Sequence, residues 1–496
     1  MILAAIRKTA LRRGWRAAAV EDATGVALSY QQLLLRSFVL ARLLRKMGVG
    51  PAPFVGILLP TSIGATAAFL ALHGSGRTPA MLNFTAGPRS LALACRTGGI
   101  THVITSRVFI EKARLEALLE ALPVTFLCLE DVRQRITLGD KLAALCRLAM
   151  PPRSARPEDC AVLLFTSGSE GAPKGVALSH RNLLANIEQA GERFTFSAKD
   201  AMFNALPIFH SFGLTVGTLL PLVLGFRAYL YPTPLHYQTI PELVRKTGAT
   251  IFLGTDTFFC AYARHAAAGD FSALRLAVAG AEKLKPETMA LYRKNYGAFL
   301  LEGYGVTEAS PVVAANTPQE RKEGTVGRLM PRMECRLEKI EGLARGGRLL
   351  LRGPNIMLGY VSADQPGIIV PQAEWYDTGD IADVDAEGYL TILGRLRRFA
   401  KIGGEMVPLS LAEEAAAAAW PGSDHAAIAV ADARRGEQIV LFTECAEAAR
   451  DGLLVHAQRA GIPEIALPKR IVHTQALPRL GSGKIDYLAL RELELS

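Results

Sequence analysis

The stretch Leu163–Gly175 reads LLFTSGSEGAPKG. Its lead-in, Ala161–Phe165, is a short apolar run suited to a buried strand. Between Thr166 and Gly175 lie three hydroxyls, three glycines and one lysine. Glycine lets backbone N–H groups turn toward an anion, hydroxyls add short donors, and lysine adds a mobile positive charge. The composition suits an oxyanion, although Gly, Ser and Pro also suit an ordinary strand-to-turn loop. A Walker A loop is excluded. That loop needs Gly-Lys-Ser/Thr opening a helix, whereas here Pro173 precedes Lys174 and Gly175 follows it.

At 496 residues the chain is too long for one ordinary core, and half of it is hydrophobic, as in a well-buried globular enzyme. The formal charge of +10 suits an acidic partner or an anionic surface. Nucleic acid is not indicated, because aromatics are sparse and no zinc-finger, RRM or helix-turn-helix pattern occurs. The seven cysteines are scattered without a CxxC pair, which fits reduced thiols in a cytoplasmic protein. Ile2, Leu3, Ile6 and Ala10 share one helical face beside Arg7, Lys8, Arg12 and Arg13. Such a helix packs on its own domain in the favoured reading and touches membrane in the other. The apolar stretches Phe54–Leu72 and Ser211–Leu230 are interrupted by Pro and Gly and read as buried elements, not membrane spans.

Short apolar runs at 54–59, 79–83, 101–104, 125–129 and 250–255 alternate with helix-like segments at 33–47, 61–72 and 182–193. That alternation predicts a layered α/β fold. Leu138–Glu158, with Pro151, Pro152 and Pro157, reads as a connection. His210, between aromatics in LPIFHSFG, reads as a buried residue on pattern alone. His265 and Asp270 have the His-x4-Asp spacing of acyltransferases, without companion motifs, and are taken as chance.

In order and spacing, the loop at 163–175 together with LEGYGVTEASP, WYDTGD and LPRLGSGKID resembles the adenylate-forming superfamily of acyl-CoA synthetases, luciferases and peptide-synthetase adenylation domains. Glu170 departs from it, standing where a hydroxyl is usual, and Asp486 and Tyr487 replace the usual residues after Ile485. FTSGSEG, LPIFHSFGLTVG, YPTPLHY, VAGAEKL and RRFAKIGGEMV resemble one branch in particular. It is the ligase region of the bacterial 2-acylglycerophosphoethanolamine acyltransferase/acyl-ACP synthetases.

The resemblance implies a large α/β domain over 1–394, with β-sheets flanked by helices and a distorted β-barrel. A small mobile α+β domain over 395–496 follows. It implies ATP and Mg²⁺ at Thr166, Ser167, Gly168, Ser169, Gly171 and Lys174, with Gly280, Ala281, Tyr304 and Gly305 beside adenine. Thr307 would meet phosphate, Glu308 the metal, Asp380 both ribose hydroxyls, and Arg395 the ribose or phosphate. Lys484 would be the adenylation lysine and His210 the gate at the substrate carboxylate, with Thr166 serving the reaction as well. Arg397 would be the hinge, and Gly403 and Gly404 would line a pantetheine tunnel. The implied reaction activates a fatty acid and passes it to acyl carrier protein. The alternatives are an acyl-CoA synthetase and a noncatalytic acyl- or nucleotide-binding partner of an acyltransferase. Contact with the inner membrane or with an acyltransferase stays open.

Overall fold

The computed structural model describes residues 1–49, 53–120, 122–150, 155–166, 173–432, 434–460, 462–479 and 485–495. It divides into two compact units, Met1–Met333 with Arg352–Glu374, and Glu334–Leu351 with Trp375–Ser496.

The first unit holds two sheets. In the eight-stranded one, Phe54–Ile57, Thr78–Met81, His102–Thr105, Thr125–Cys128 and Cys160–Thr166 run parallel, and Lys174–Ser179 turns back antiparallel on Cys160–Thr166. Phe54–Ile57 is buried at every residue, as a strand covered on both faces must be. In the nine-stranded sheet, Ala201–Asn204, Ile251–Gly254, Leu276–Ala279 and Leu300–Gly305 run parallel and then meet antiparallel Val312–Ala315. Phe203, Phe252, Phe259, Phe271 and Tyr292 pack edge-to-face and stacked into an aromatic core of this unit. The layered α/β expectation holds. The helix Tyr30–Lys46 starts where Ser29 and Gln32 form a reciprocal capping box, which satisfies two otherwise orphaned N–H groups.

The second unit holds a four-stranded sheet of Glu334–Glu338, Gly347–Arg352, Tyr376–Val384 and Leu390–Arg395. A five-stranded sheet with Phe399–Ile402, Gly436–Thr443 and His425–Asp432 completes it.

Two expectations are corrected. The distorted barrel is an open sheet, because its edge strands Glu334–Glu338 and Leu390–Arg395 do not pair, and no closed barrel occurs among the described residues. The presumed connection at 138–158 begins with the helix Leu138–Ala149, nucleated by a Thr137–Asp140 capping box. The first helix, Ile2–Arg13, buries Ile2, Leu3, Ile6 and Ala10 against its own unit. No helix among the described residues is long and apolar enough to cross a membrane.

Two histidines share the interior of the first unit. His73 lies in the last turn of the helix Ile63–Ser75 and His180 opens the helix His180–Arg193, with ring centroids 4.9 Å apart. Among the described residues, His73 Nε2 and His180 Nδ1 have no hydrogen-bond partner. Burial lowers both, His180 to about 4 and His73 well below the usual value, with His180 adding to the effect on His73. Both rings are therefore neutral in the folded state, while the unfolded chain takes up protons below about 6.5. Stability is expected to fall as pH drops from about 6.5 toward 4, by up to about 1.4 kcal/mol per pH unit for each ring. Thermal midpoints across this window should be less pH-dependent in the double variant His73→Leu/His180→Gln. An unchanged slope would assign the acid sensitivity to other groups.

Candidate functional site

The strand Cys160–Thr166 ends at the phosphate-type loop, and its register pairs Thr166 with Lys174. The two ends of the loop are thus fixed side by side. Ser167, Gly168, Ser169, Glu170 and Gly171 lie outside the described residues. Gly175 has a packing reason of its own. A Cβ there would lie 2.9 Å from Leu163 Cδ1 and 3.2 Å from Val361 Cβ.

The ammonium group of Lys174 sits 5.7 Å from the centroid of the Tyr360 ring. The Tyr360 hydroxyl in turn donates to Glu308 Oε1 at 2.8 Å. One tyrosine therefore links the loop lysine to the carboxylate expected to hold a metal. Nothing local in the sequence Gly359-Tyr360 reveals this contact across the sheet.

Glu308 belongs to the tight turn Thr307–Ala309, followed by Ser310 at φ 72° and a cis Ser310–Pro311 bond. A buried polar network holds this turn. Asn355 Nδ2 donates to Ala309 O at 2.7 Å, Ser310 Oγ donates to Asn355 O at 2.9 Å, and Met357 N donates to Glu308 O at 2.8 Å. Behind it, Asn182, Asn186 and Gln189 form a polar stripe on the helix His180–Arg193 and bind Pro354 O, Val312 O and Pro331 O. That i, i+4, i+7 spacing was legible as one helix face, although its partners were not.

Thr307 also meets the segment carrying His210, since Ser211 Oγ lies 3.3 Å from Thr307 Oγ1. His210 is exposed, and its ring centroid is 4.8 Å from that of buried Phe209. Thr61 Oγ1 and Asn204 pin this segment by accepting from Ile208 N and Leu206 N. It continues as a π-helix, Phe212–Leu219, a form that often marks functional sites. Asn204 Nδ2 donates to Gly213 O at 3.0 Å and to Thr218 Oγ1 at 3.2 Å. A Cβ on Gly217 would lie 2.3 Å from the Asn204 amide carbon.

The expected adenine turn stands beside the same segment. A Cβ on Gly280 would approach Phe212 Cε1 at 3.2 Å, and Ala281 adopts φ 66°. Tyr304 is half-buried on Leu300–Gly305, and a Cβ on Gly305 would lie 2.5 Å from Pro311 O. Glu302, on the same strand, accepts from Leu284 N at 3.1 Å. Burial raises its carboxyl to about 7.

The first unit thus gathers Thr166, Lys174, His210, Gly280, Ala281, Tyr304, Gly305, Thr307 and Glu308 into one chain of contacts. The second unit carries Asp380 and Arg395. They are partners across antiparallel strands, with Arg395 Nε 3.1 Å from the buried Asp380 carboxylate. Arg397 lies in the short turn Leu396–Arg398. Gly403 and Gly404 have φ of 59° and 91°, and Gly403 N donates to Arg435 O at 2.8 Å. Lys484 lies outside the described residues. Asp270 of the His-x4-Asp spacing accepts from Arg245 and from Ala267 N, which makes it a loop anchor.

Among the described residues no group of three or more His, Cys, Asp or Glu side chains could hold a metal. The donor set instead fits Mg²⁺, which keeps several waters and takes one or two carboxylates plus phosphate oxygens.

The model of the AMP-binding enzyme family matches residues 6–361, and the chain belongs to that family. The long-chain-fatty-acid–CoA ligase of Yersinia pestis is 33% identical over 353 residues, which is 68% of this chain and 62% of that protein. The chain therefore spans less than two thirds of the length of this relative. The fold matches ATP-bound MatB from Rhodopseudomonas palustris with TM-score 0.84 at 24% identity, covering 99% of both chains. It also matches o-succinylbenzoate coenzyme A synthetase of Bacillus subtilis in complex with ATP and magnesium ion. That match has TM-score 0.82 at 18% identity and covers 97% of this chain and 98% of the other.

Tyr360→Phe keeps the ring over Lys174 and removes the hydrogen bond to Glu308. A hydrogen bond to a charged group contributes about 1.5–3 kcal/mol, so Mg·nucleotide binding is expected to weaken roughly tenfold or more. Calorimetric titration with a nonhydrolysable Mg·ATP analogue checks this, and unchanged affinity would detach Tyr360 from the site. For Glu302, the folded state holds its proton to higher pH than the unfolded chain. Its contribution to stability is therefore lost as pH rises from about 4.5 through 7. Denaturant titrations of Glu302→Gln should show less loss than wild type over that interval.

Proposed function

We propose that the chain is an ATP-dependent acid–thiol ligase that activates a fatty acid and transfers it to coenzyme A. The observation that carries this is the linked set Thr166, Lys174, Tyr360, Glu308 and Thr307 in a member of the AMP-binding enzyme family. The fatty-acid substrate and coenzyme A follow the name of the Yersinia pestis relative.

The difficulty of the first step is bringing a carboxylate up to a polyphosphate. Lys174 and the N–H groups of its loop offset the phosphate charge, and Thr166 and Thr307 add hydroxyl donors. Tyr360 fixes one oxygen of Glu308 and leaves the carboxylate to hold Mg²⁺. When bound, Mg²⁺ neutralises charge on the phosphate oxygens. A carboxylate oxygen attacks the α-phosphorus, the bond to the bridging oxygen of pyrophosphate breaks, and an acyl-adenylate forms. Lys484 stabilises the charge that spreads over the α-phosphate. His210 positions the acid; it is not needed as a base, because a fatty acid is already ionised at neutral pH. In the second step a thiolate attacks the acyl carbon and AMP leaves, the thiol proton having passed to solvent.

Gly280, Ala281 and Tyr304 receive adenine, while Asp380 accepts from the ribose hydroxyls with Arg395 beside it. A small domain over 395–496 turns at Arg397 between the steps, withdrawing Lys484 and bringing in the Gly403–Gly404 turn for pantetheine. The enzyme works in the cytoplasm. A second reading, with acyl carrier protein as acceptor, is favoured by the Ser-Glu-Gly variant of the loop and by the net charge of +10, since carrier proteins are acidic.

The test offers ATP, Mg²⁺ and a panel of fatty acids with coenzyme A and holo acyl carrier protein as competing thiols. Wild type is expected to show acid-dependent ATP–pyrophosphate exchange and to form acyl-CoA preferentially. Lys484→Ala should lower exchange by roughly a hundredfold or more. Preferential loading of the carrier protein selects the second reading. Absence of exchange with every acid leaves a noncatalytic binding protein.

A further inference from the structure

The helix Leu138–Ala149 is apolar on the side that faces out. Asp140, Ala144 and Leu148 are buried, whereas Leu138, Leu142, Leu145 and Met150 are 73%, 55%, 47% and 58% exposed. Leu138, Leu142 and Leu145 follow one another at i, i+4 and i+7, so they form a single stripe along the helix. Leaving such a row in water forgoes burial of about 25 cal/mol per Å².

The charge arrangement is equally one-sided. The only acid of the helix, Asp140, is turned inward and held by Arg42 Nε at 2.8 Å and by Lys46. Its only outward charge on the stripe is the exposed Lys141, three residues from Leu138 and four from Leu145. Arg133 and Arg135 are exposed just before the helix, and nearby Asp131 is paired with Arg107 at 2.5 Å. At the other end, Arg7 donates to Leu148 O and Ala149 O, each at 3.3 Å. The carbonyls at the helix end thus have a protein partner and do not depend on water.

An apolar stripe rimmed by cations, on a helix tied to the fold at its end, is the form of a helix that lies in a bilayer surface. We propose that Leu138–Ala149 docks the chain on anionic phospholipid bilayers. Leu138, Leu142, Leu145 and Met150 enter the acyl boundary, and Lys141, Arg133 and Arg135 meet the headgroups. The inference stands apart from the ligase reading, because its readout is membrane partition and not product formation. Together they would place the enzyme where fatty acids partition.

The test is flotation of the full chain with vesicles of phosphatidylcholine alone and with about one-third phosphatidylglycerol added. Wild type should float with the anionic vesicles, and added salt should weaken the binding. Leu142→Gln/Leu145→Gln should reduce the partition coefficient roughly tenfold or more. Lys141→Gln should reduce it about fivefold, as expected for one headgroup contact. Circular dichroism and exchange activity with a short water-soluble acid should match wild type in both variants. Three outcomes would overturn the proposal. Wild type could ignore both vesicle types, or the double leucine variant could float as well as wild type. Light scattering could instead show a dimer that the leucine variant dissolves, which would assign the stripe to a second copy.

Discussion

A buried amide must find every one of its partners, and Asn355 is wholly enclosed. Its Nδ2 reaches Ala309 O, its Oδ1 accepts from Gln189, and its own carbonyl accepts from Ser310. Three separate segments, the helix His180–Arg193, the turn Thr307–Ala309 and the loop around Asn355, must come together at once or each leaves unmet polar groups. Leaving one such group unsatisfied costs about 1–3 kcal/mol, so the network favours a single arrangement. Glu308 inherits that rigidity through its backbone carbonyl, which accepts from Met357 N. A carboxylate fixed at its backbone and at one oxygen can present the other oxygen to a cation with little reorganisation.

The site is economical in charge. Among the described residues, one carboxylate, Glu308, is linked through Tyr360 to one lysine, Lys174, with the hydroxyls of Thr166 and Thr307 on the same segments. That suits a ligand which arrives carrying its own charges and much of its magnesium coordination. In the second unit, Asp380 and Arg395 form a different kind of pair. The carboxylate is buried while the guanidinium is largely exposed, so the acid keeps a partner without needing a second buried ion.

Much of this was legible. The loop at 163–175 begins at the end of a strand, the apolar runs form sheets, and the residues expected beside adenine come from adjacent parallel strands, Gly280 just after one and Tyr304 and Gly305 at the end of the next. Local pattern could not show what each strand lies beside. Tyr360 takes part because Gly359–Val361 pairs with Lys174–Ser179, a register written in no single segment. Gly175 looked like part of an anion cradle, yet the close approach of Leu163 and Val361 also requires a residue without a side chain. The barrel failed for the converse reason. Four strands of suitable character were present, but closure depends on edges meeting, and composition does not encode that. The helix Leu138–Ala149 carried its capping box openly; the prolines that follow it hid the signal.

The wide-turn helix Phe212–Leu219 sets a rotational phase for everything after it. An ordinary turn uses about 3.6 residues, so removing one residue would swing the following chain by about 100° around the helix axis. Asn204 and Gly217 lock the present phase like a key in its ward: the amide occupies the space that the glycine leaves empty. Insertions and deletions here are therefore changes of direction more than of length. Descendants of this sequence could lengthen a surface loop gradually, but they could redirect the chain after this helix only in discrete angular steps.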